Sequence, residues 1–302
     1  MPVMPVDRAT YTALQLAQAA IVFARRHLPY GSGNQLADLR SGRFGQTVDG
    51  SLLPRRQAAL KSIKALMAQK HQPLGPLGLD DRTYGVAIST GVAMYYAAGN
   101  CGEHANLTFS FLTTFGFPGV TVHRCTSTVM DHGYTMITWP NCQDPVVSDG
   151  WPTNGQACLW SHFFANPHRT NPDPGFREVA RFTITDQSMG FDVVGQAFRT
   201  VDPRAVAKLP LGSQIAGYSQ QAINSYIQQF LGNGVYNQLT TLAPNVKTPL
   251  DYSYTSDRGT EYLSQALLPG EQWTGRVLPV IMEVTGLYPQ LMDPTMRYTS
   301  SV

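Results

Sequence analysis

The stretch GNCGEHANLTFSFLTTF, residues 99–115, decides how the rest of this chain is read. Gly99 suits a turn, Asn100 belongs to the small set of side chains that cap helix N-termini, and Glu103 stands three positions beyond it. A cap followed at that spacing by Glu or Gln is close to a capping box, in which the two residues satisfy each other's free backbone N–H groups. Leu107, Phe111 and Phe115 then recur on one helical face. The pattern predicts a helix from Cys101 to about Phe115, with Cys101 as its first residue. A sulfur there lies near backbone N–H groups that lack partners inside the helix, and the positive end of the helix dipole favours thiolate over thiol. The thiolate is the reactive form, so the position suits a nucleophile. Gly102 leaves the space beside the sulfur open, and the backbone N–H of Cys101 is a natural donor to an oxyanion. The bland alternative is an inert cysteine that happens to open a helix. Helix capping alone accounts for Glu103, and His104 points elsewhere and is read as structural.

Downstream, Val120–Cys125, His132–Trp139 and Val146–Asp149 read as three short strands, separated by turn chemistry at Pro140-Asn141 and Asp144-Pro145. His132 opens the second strand and Asp149 closes the third. In an antiparallel hairpin the start of one strand lies beside the end of the next. Pairing Trp139 with Val146 sets Asp149 opposite Met136, and shortening the loop by a few residues is expected to bring it toward Tyr134 and His132. Asp149 would then accept from one imidazole nitrogen and fix the tautomer, leaving the other nitrogen for Cys101. His132 would serve as base, and later as acid for the leaving amine. The chain has seven histidines, so chance His–Asp pairs are expected. The weight rests on the combined order of helix-start Cys, strand-start His and strand-end Asp. Asp144 is the alternative third member, but before Pro145 it reads as a turn residue. Asp131 adjoins His132 and points to the other face.

Working outward, Asp7 to about His27 predicts a helix capped by Asp7, with Leu14, Ala17, Ala20, Ile21 and Ala24 on one side. Gly31–Gly50 is loop-like, and Arg55–Gln69 is a second amphipathic segment. Residues 71–79, HQPLGPLGL, are Pro/Gly punctuation, and a small-residue segment from Tyr84 to Ala98 leads into the cysteine. Beyond Asp149, a Pro/Asn-rich loop over Asn166–Gly175 precedes Phe182–Thr185 and Phe191–Val194, which could continue the sheet. After Pro210 the chain reads as helical, with a stripe of Ile223, Tyr226, Ile227, Phe230 and Leu231 and a last segment around Trp273–Ile281. This order predicts an α+β fold: a helical N-terminal region over 1–80, a catalytic core over 81–210, and a helical C-terminal region over 211–302 that joins the core in one domain.

Composition narrows the classes. The chain has 302 residues, 43% hydrophobic and 14% charged, which is enough apolar material for a core. Its formal net charge is +2, and its 22 Lys and Arg are scattered, so a nucleic-acid binder is not indicated. No apolar run reaches the length of a membrane span, and the first thirty residues lack a signal-peptide layout. The four cysteines, at 101, 125, 142 and 158, contain no C-x-x-C pair. A Cys125–Cys142 bridge is conceivable in an oxidising place, though reduced buried cysteines are the simpler expectation.

The order and spacing of Cys101, His132 and Asp149, with an aromatic residue (Tyr134) two positions after the histidine, resemble the transglutaminase-like superfamily of papain-fold enzymes. The phrases GNCGEHA (99–105), DHG (131–133) and VVSDGW (146–151) look more specifically like the AvrPphE/HopX type of bacterial effector. The resemblance covers roughly residues 95–155. It implies a papain/transglutaminase-like core with extra helices at both ends, and Cys101 as nucleophile, His132 as base and Asp149 as its orienter. It further implies thioester chemistry at an amide of a protein substrate: deamidation, transglutamination or proteolysis. No cofactor or metal is expected. The implied setting is synthesis in a bacterial cytoplasm and delivery into another cell, with a secretion chaperone or cognate inhibitor as a partner. The tryptophan that helps hold the oxyanion in that family has no assignable equivalent. Asn100, Tyr95 and Tyr96 are candidates, and Tyr134, Trp139 and Trp151 could line a groove or pack the sheet.

Two other classes stay in view. A non-enzymatic binding module could keep this fold, with Cys101 an ordinary thiol. A metal site could draw on His123, Cys125, Cys142, Cys158 and His162, although no standard zinc spacing is present. No nucleophile elbow, phosphate loop or zinc-protease helix motif occurs.

Overall fold

A computed structural model describes residues 3–28, 81–96, 99–151, 157–166, 175–185 and 251–263. Chain order gives β1 (Val3–Pro5), α1 (Arg8–His27), α2 (Asp81–Tyr96), α3 (Cys101–Phe115), β2 (Thr121–Ser127), β3 (Gly133–Thr138), β4 (Val146–Ser148), β5 (Cys158–Leu159), a 3₁₀ turn (Trp160–His162), β6 (Phe176–Thr183), β7 (Asp251–Ser256) and β8 (Gly259–Leu263). The fold is α+β. A five-stranded sheet in the order β5-β4-β3-β2-β6 is antiparallel throughout, and a small sheet pairs β1 parallel to β7 and β7 antiparallel to β8. No helix among the described residues is long and apolar enough to cross a membrane.

Both faces of the larger sheet are covered, and β3 and β4 follow from that. Val122, Ile137 and Val146 pack beneath Leu107, Phe111 and Phe115 of α3, while Cys125, Tyr134, Met136 and Val147 pack on the other face against Phe163 and Ala165. Successive strand residues point to opposite faces, so a strand covered on both sides is buried at nearly every position. α1 is capped as expected, with the Asp7 carboxylate accepting from the Thr10 N–H and hydroxyl, both at 2.9 Å. Its buried face is wider than the expected stripe. Tyr11, Leu16 and Phe23 are buried as well, because α1 packs against α3, β4 and β7.

Short polar side chains stitch these layers together. Thr135 of β3 donates to the Ala105 carbonyl at 2.9 Å and meets the Thr108 hydroxyl at 2.9 Å. The Ser148 hydroxyl donates to the Ala17 carbonyl at 3.0 Å, and Thr90 of α2 meets Ser110 of α3 at 2.9 Å. Each is buried and satisfied, so each fixes the offset of one element on another.

Several expectations need correction. The region 211–302, expected to be helical, contains the β7–β8 hairpin, closed by Gly259 at φ 122°. Tyr252 and Tyr254 alternate there with Ser and Thr, which is strand patterning. The N-terminal region contributes α1 to the core, since one apolar cluster takes in α1, α3, the sheet and Tyr252. It also begins with a strand, β1, defined only by its pairing with β7. The strand expected from Phe182 starts at Phe176. The hairpin register is Ile137 with Val146 and Thr135 with Ser148, so the connection is longer than the Trp139–Val146 pairing supposed. The loop at Gly31–Gly50, the segments at Arg55–Gln69 and 71–79, the strand at Phe191–Val194 and the stripes at 223–231 and 273–281 lie outside the described residues.

Candidate active site

Cys101 opens α3, as its sequence context predicts. The Glu103 carboxylate accepts from the Asn100 N–H at 2.8 Å, which forms one half of the capping box. The other half is weaker, because Asn100 Oδ1 is buried and makes no hydrogen bond. The helix instead begins through the Asn100 carbonyl, which accepts from Glu103 N at 3.1 Å and His104 N at 3.0 Å. Cys101 remains partly exposed and its thiol is free.

His132 and Asp149 meet. His132 Nε2 lies 2.7 Å from Asp149 Oδ2, with the histidine 1% and the aspartate 3% exposed. The longer hairpin register explains the meeting: one step past the Thr135–Ser148 pair, Asp149 comes alongside Tyr134 and within reach of His132. The second Asp149 oxygen accepts from the Trp151 N–H at 3.1 Å, so the carboxylate is held at both ends. The remaining imidazole nitrogen, Nδ1, is buried. Burial works against protonation of this ring. The charge and hydrogen bond of Asp149, followed by the nearby Cys101 thiol, outweigh it and shift the histidine upward. Cys101 and Asp149 thus act on the same imidazole, and Asp149 occupies one of its two nitrogens.

The histidine is boxed in by rings. Trp151 lies 4.9 Å from it, Phe164 5.3 Å and Tyr134 6.0 Å between centroids. Tyr134 and Trp151, read as either lining a groove or packing the sheet, are buried, at 0% and 5% exposure. They brace His132 rather than offer surface. Gly102 has room for a Cβ, the nearest atom being Arg124 Nη2 at 3.7 Å, so steric need does not explain this glycine. Trp139 packs at the border of the main core. The side chains of Tyr95 and Tyr96 lie outside the described residues.

The remaining candidates fall elsewhere. His104 is buried and its Nδ1 lies 3.0 Å from the Asn100 carbonyl oxygen, to which it donates. Burial pushes its pKa down from 6.5 to about 4, so it is neutral and structural, as expected. Asp144 accepts from Ser161 N at 3.0 Å and holds a turn, and Asp131 is exposed. The five residues of the metal hypothesis do not gather. His123 bonds Glu178 and Thr138, His162 bonds the Tyr252 hydroxyl, and among the described residues no group of three His, Cys, Asp or Glu side chains could hold a metal. All four cysteines are free thiols, so Cys125 and Cys142 are not bridged.

One residue beside this site went unread in the sequence. Arg124 of β2 is 7% exposed and lies beneath the first turn of α3. Its signal was the alternation of β2 itself, which puts Arg124 on the same face as the core residue Val122.

Compared with family models, with curated proteins and with solved structures, the chain matches none of them.

Proposed function

We propose that this chain is a cysteine-dependent acyl-transfer enzyme of the papain/transglutaminase kind, with Cys101 as nucleophile, His132 as acid–base partner and Asp149 as orienter. The observation that carries this reading is the buried 2.7 Å His132–Asp149 pair whose imidazole is also acted on by the cysteine that opens α3. A helix-start cysteine packed over an antiparallel sheet supports the papain-like reading of the core.

In this mechanism the Cys101 thiolate attacks the carbonyl carbon of an amide. The carbonyl π pair moves to oxygen, for which the Cys101 N–H at the start of α3 is a natural backbone donor. The tetrahedral intermediate collapses with cleavage of the C–N bond, and His132 Nδ1 gives its proton to the departing nitrogen. The thioester is then opened by water, with His132 now taking the proton. For a glutamine side chain the products are ammonia and a carboxylate. An amine in place of water gives transglutamination, and a main-chain amide gives proteolysis. The substrate is a protein, and the setting is that of a delivered bacterial effector, on the strength of the sequence resemblance.

The alternative, a binding module of the same fold, draws on one observation: the base is almost fully covered, so only Cys101 offers surface. Alkylation separates the two readings. Treated with iodoacetamide near neutral pH, Cys101 labels first by peptide mass spectrometry, and Cys101→Ala removes that label. Cys142 and Cys158 are internal standards, because burial pushes both thiols up. Labelling of Cys101 no faster than Cys142 would favour the binding module. Mass spectrometry of candidate target proteins then separates deamidation, amine adduct and cleavage.

A further inference from the structure

The guanidinium of Arg124 is buried, cationic and held only by neutral groups. Nε donates to Asn106 Oδ1 at 2.7 Å, Nη1 donates to the Cys125 carbonyl, and Nη2 donates to the Gly102 carbonyl at 3.3 Å. A guanidinium has five N–H donors, so two are left over. Among the described residues no carboxylate lies within ion-pair distance of it. Burying a charge without a counter-ion is costly, and structures rarely keep one without a use for it.

Its location suggests the use. A Cβ built on Gly133 would stand 2.8 Å from Nη2 and 2.9 Å from Nη1, and one built on Gly102 would stand 3.7 Å from Nη2. Gly102 follows Cys101 and Gly133 follows His132. The guanidinium therefore fills the space between the two glycines that directly succeed the nucleophile and the base. This also gives Gly133 a reason, since a side chain there would displace the cation.

We propose that Arg124 is the standing counter-ion of the Cys101 sulfur, a positioning residue that stabilises its negative charge before substrate arrives. The proposal rests on Cys101 being the reactive group. Burial opposes the charge on Arg124, and Cys101 is the strongest of the ionisable groups that favour it, ahead of Cys125, Glu103 and Asp149. The charged and titratable groups around the pair are Glu103 and His104 on α3, Cys125 on β2, His132 before β3, Tyr134 on β3, Asp149 after β4, and Arg25 on α1. Of the cations among them, His132 loses its proton as pH rises, whereas Arg124 and Arg25 do not. Arg124 is the one seated against the first turn of α3, so its charge stays beside the sulfur when the imidazole is neutral.

The test is the pH profile of Cys101 alkylation by iodoacetamide in the full chain, for wild type, Arg124→Gln, Arg124→Lys and Asn106→Asp. Loss of the cation in Arg124→Gln moves the rise in rate to higher pH by about one unit or more, as expected for removing a close opposite charge. Arg124→Lys keeps most of the wild-type profile. Asn106→Asp leaves the arginine in place but sets a carboxylate against Nε, and gives the same upward move. If Arg124→Gln does not fold by circular dichroism, Asn106→Asp decides by the same criterion. A folded Arg124→Gln or Asn106→Asp with the wild-type profile overturns the counter-ion role, and leaves the enzyme reading standing if His132→Ala still slows labelling. A wild-type Cys101 that labels no faster than Cys142 at any pH sinks both.

Discussion

Asp149 does two things at once, and the two oxygens separate them. One holds the imidazole at 2.7 Å, while the other accepts from Trp151 N at 3.1 Å and so fixes the carboxylate itself. Asp149→Asn keeps the size and the Trp151 contact, but it offers an amide where a charge stood. The imidazole then loses the group that most favours its protonated form. The expected result is a folded protein whose reaction at Cys101 is slower by roughly 10²–10⁴-fold, within the range for removing acid–base support. Labelling kinetics of the variant check this, with wild-type far-UV circular dichroism as the control. A folded Asp149→Asn that labels at the wild-type rate would leave Asp149 as scaffold. At this scale the sequence was informative where side-chain type and local position coincide, as for Cys101 after a cap and His132 at a strand start. It was silent on Arg124, whose importance arises from two glycines brought together from 31 positions apart.

Among elements, the contact between α3 and β3 sets the candidate site, since one begins with Cys101 and the other follows His132. Thr135 ties them through the Ala105 carbonyl and the Thr108 hydroxyl. Thr135→Val keeps the shape of the side chain and removes both bonds. It should lower stability by about 1–3 kcal/mol, the usual net value of two buried hydrogen bonds, and denaturant melts measure it. A midpoint unchanged from wild type would show the tie to be dispensable. The helix α3 was legible to the residue, because cap, period and length all agree. The three central strands were legible within a residue or two at each end. Their register was not, because alternation fixes faces but leaves the turn length free. The hairpin at 251–263 escaped because weak alternation in Tyr, Ser and Thr carries less apolar contrast than the helical stripes around it. β1 could not be read at all: three residues ending in Pro5 become a strand only when β7 lies beside them.

At the scale of the whole molecule, two buried histidines, His104 and His132, sit in opposite electrostatic settings, and a pH dependence of stability follows. His104 is neutral in the fold, its pKa lowered from 6.5 to about 4 chiefly by burial. Below pH 6.5 the unfolded chain takes up a proton at this residue that the folded one refuses until about pH 4. Stability is therefore lost as pH falls through that window, by about 3 kcal/mol at most. His132, shifted upward, contributes most fully below its unfolded value and loses that contribution as pH rises, so it adds no acid-side loss. His104→Asn should flatten the dependence of Tm between pH 6.5 and 4, whatever it does to Tm at neutrality. Thermal melts across that range check it, and an unchanged slope would assign the acid loss to other groups. The parallel pairing of β1 with β7 has a last consequence, in the timing of synthesis. Val3, Met4 and Pro5 leave the ribosome about 250 residues before their partners Asp251, Tyr252 and Ser253. At cellular elongation rates of roughly 5–20 residues per second, that leading strand waits on the order of tens of seconds for its mate. The nascent chain thus has time to build the larger sheet and set His132 against Asp149 well before the small sheet can close.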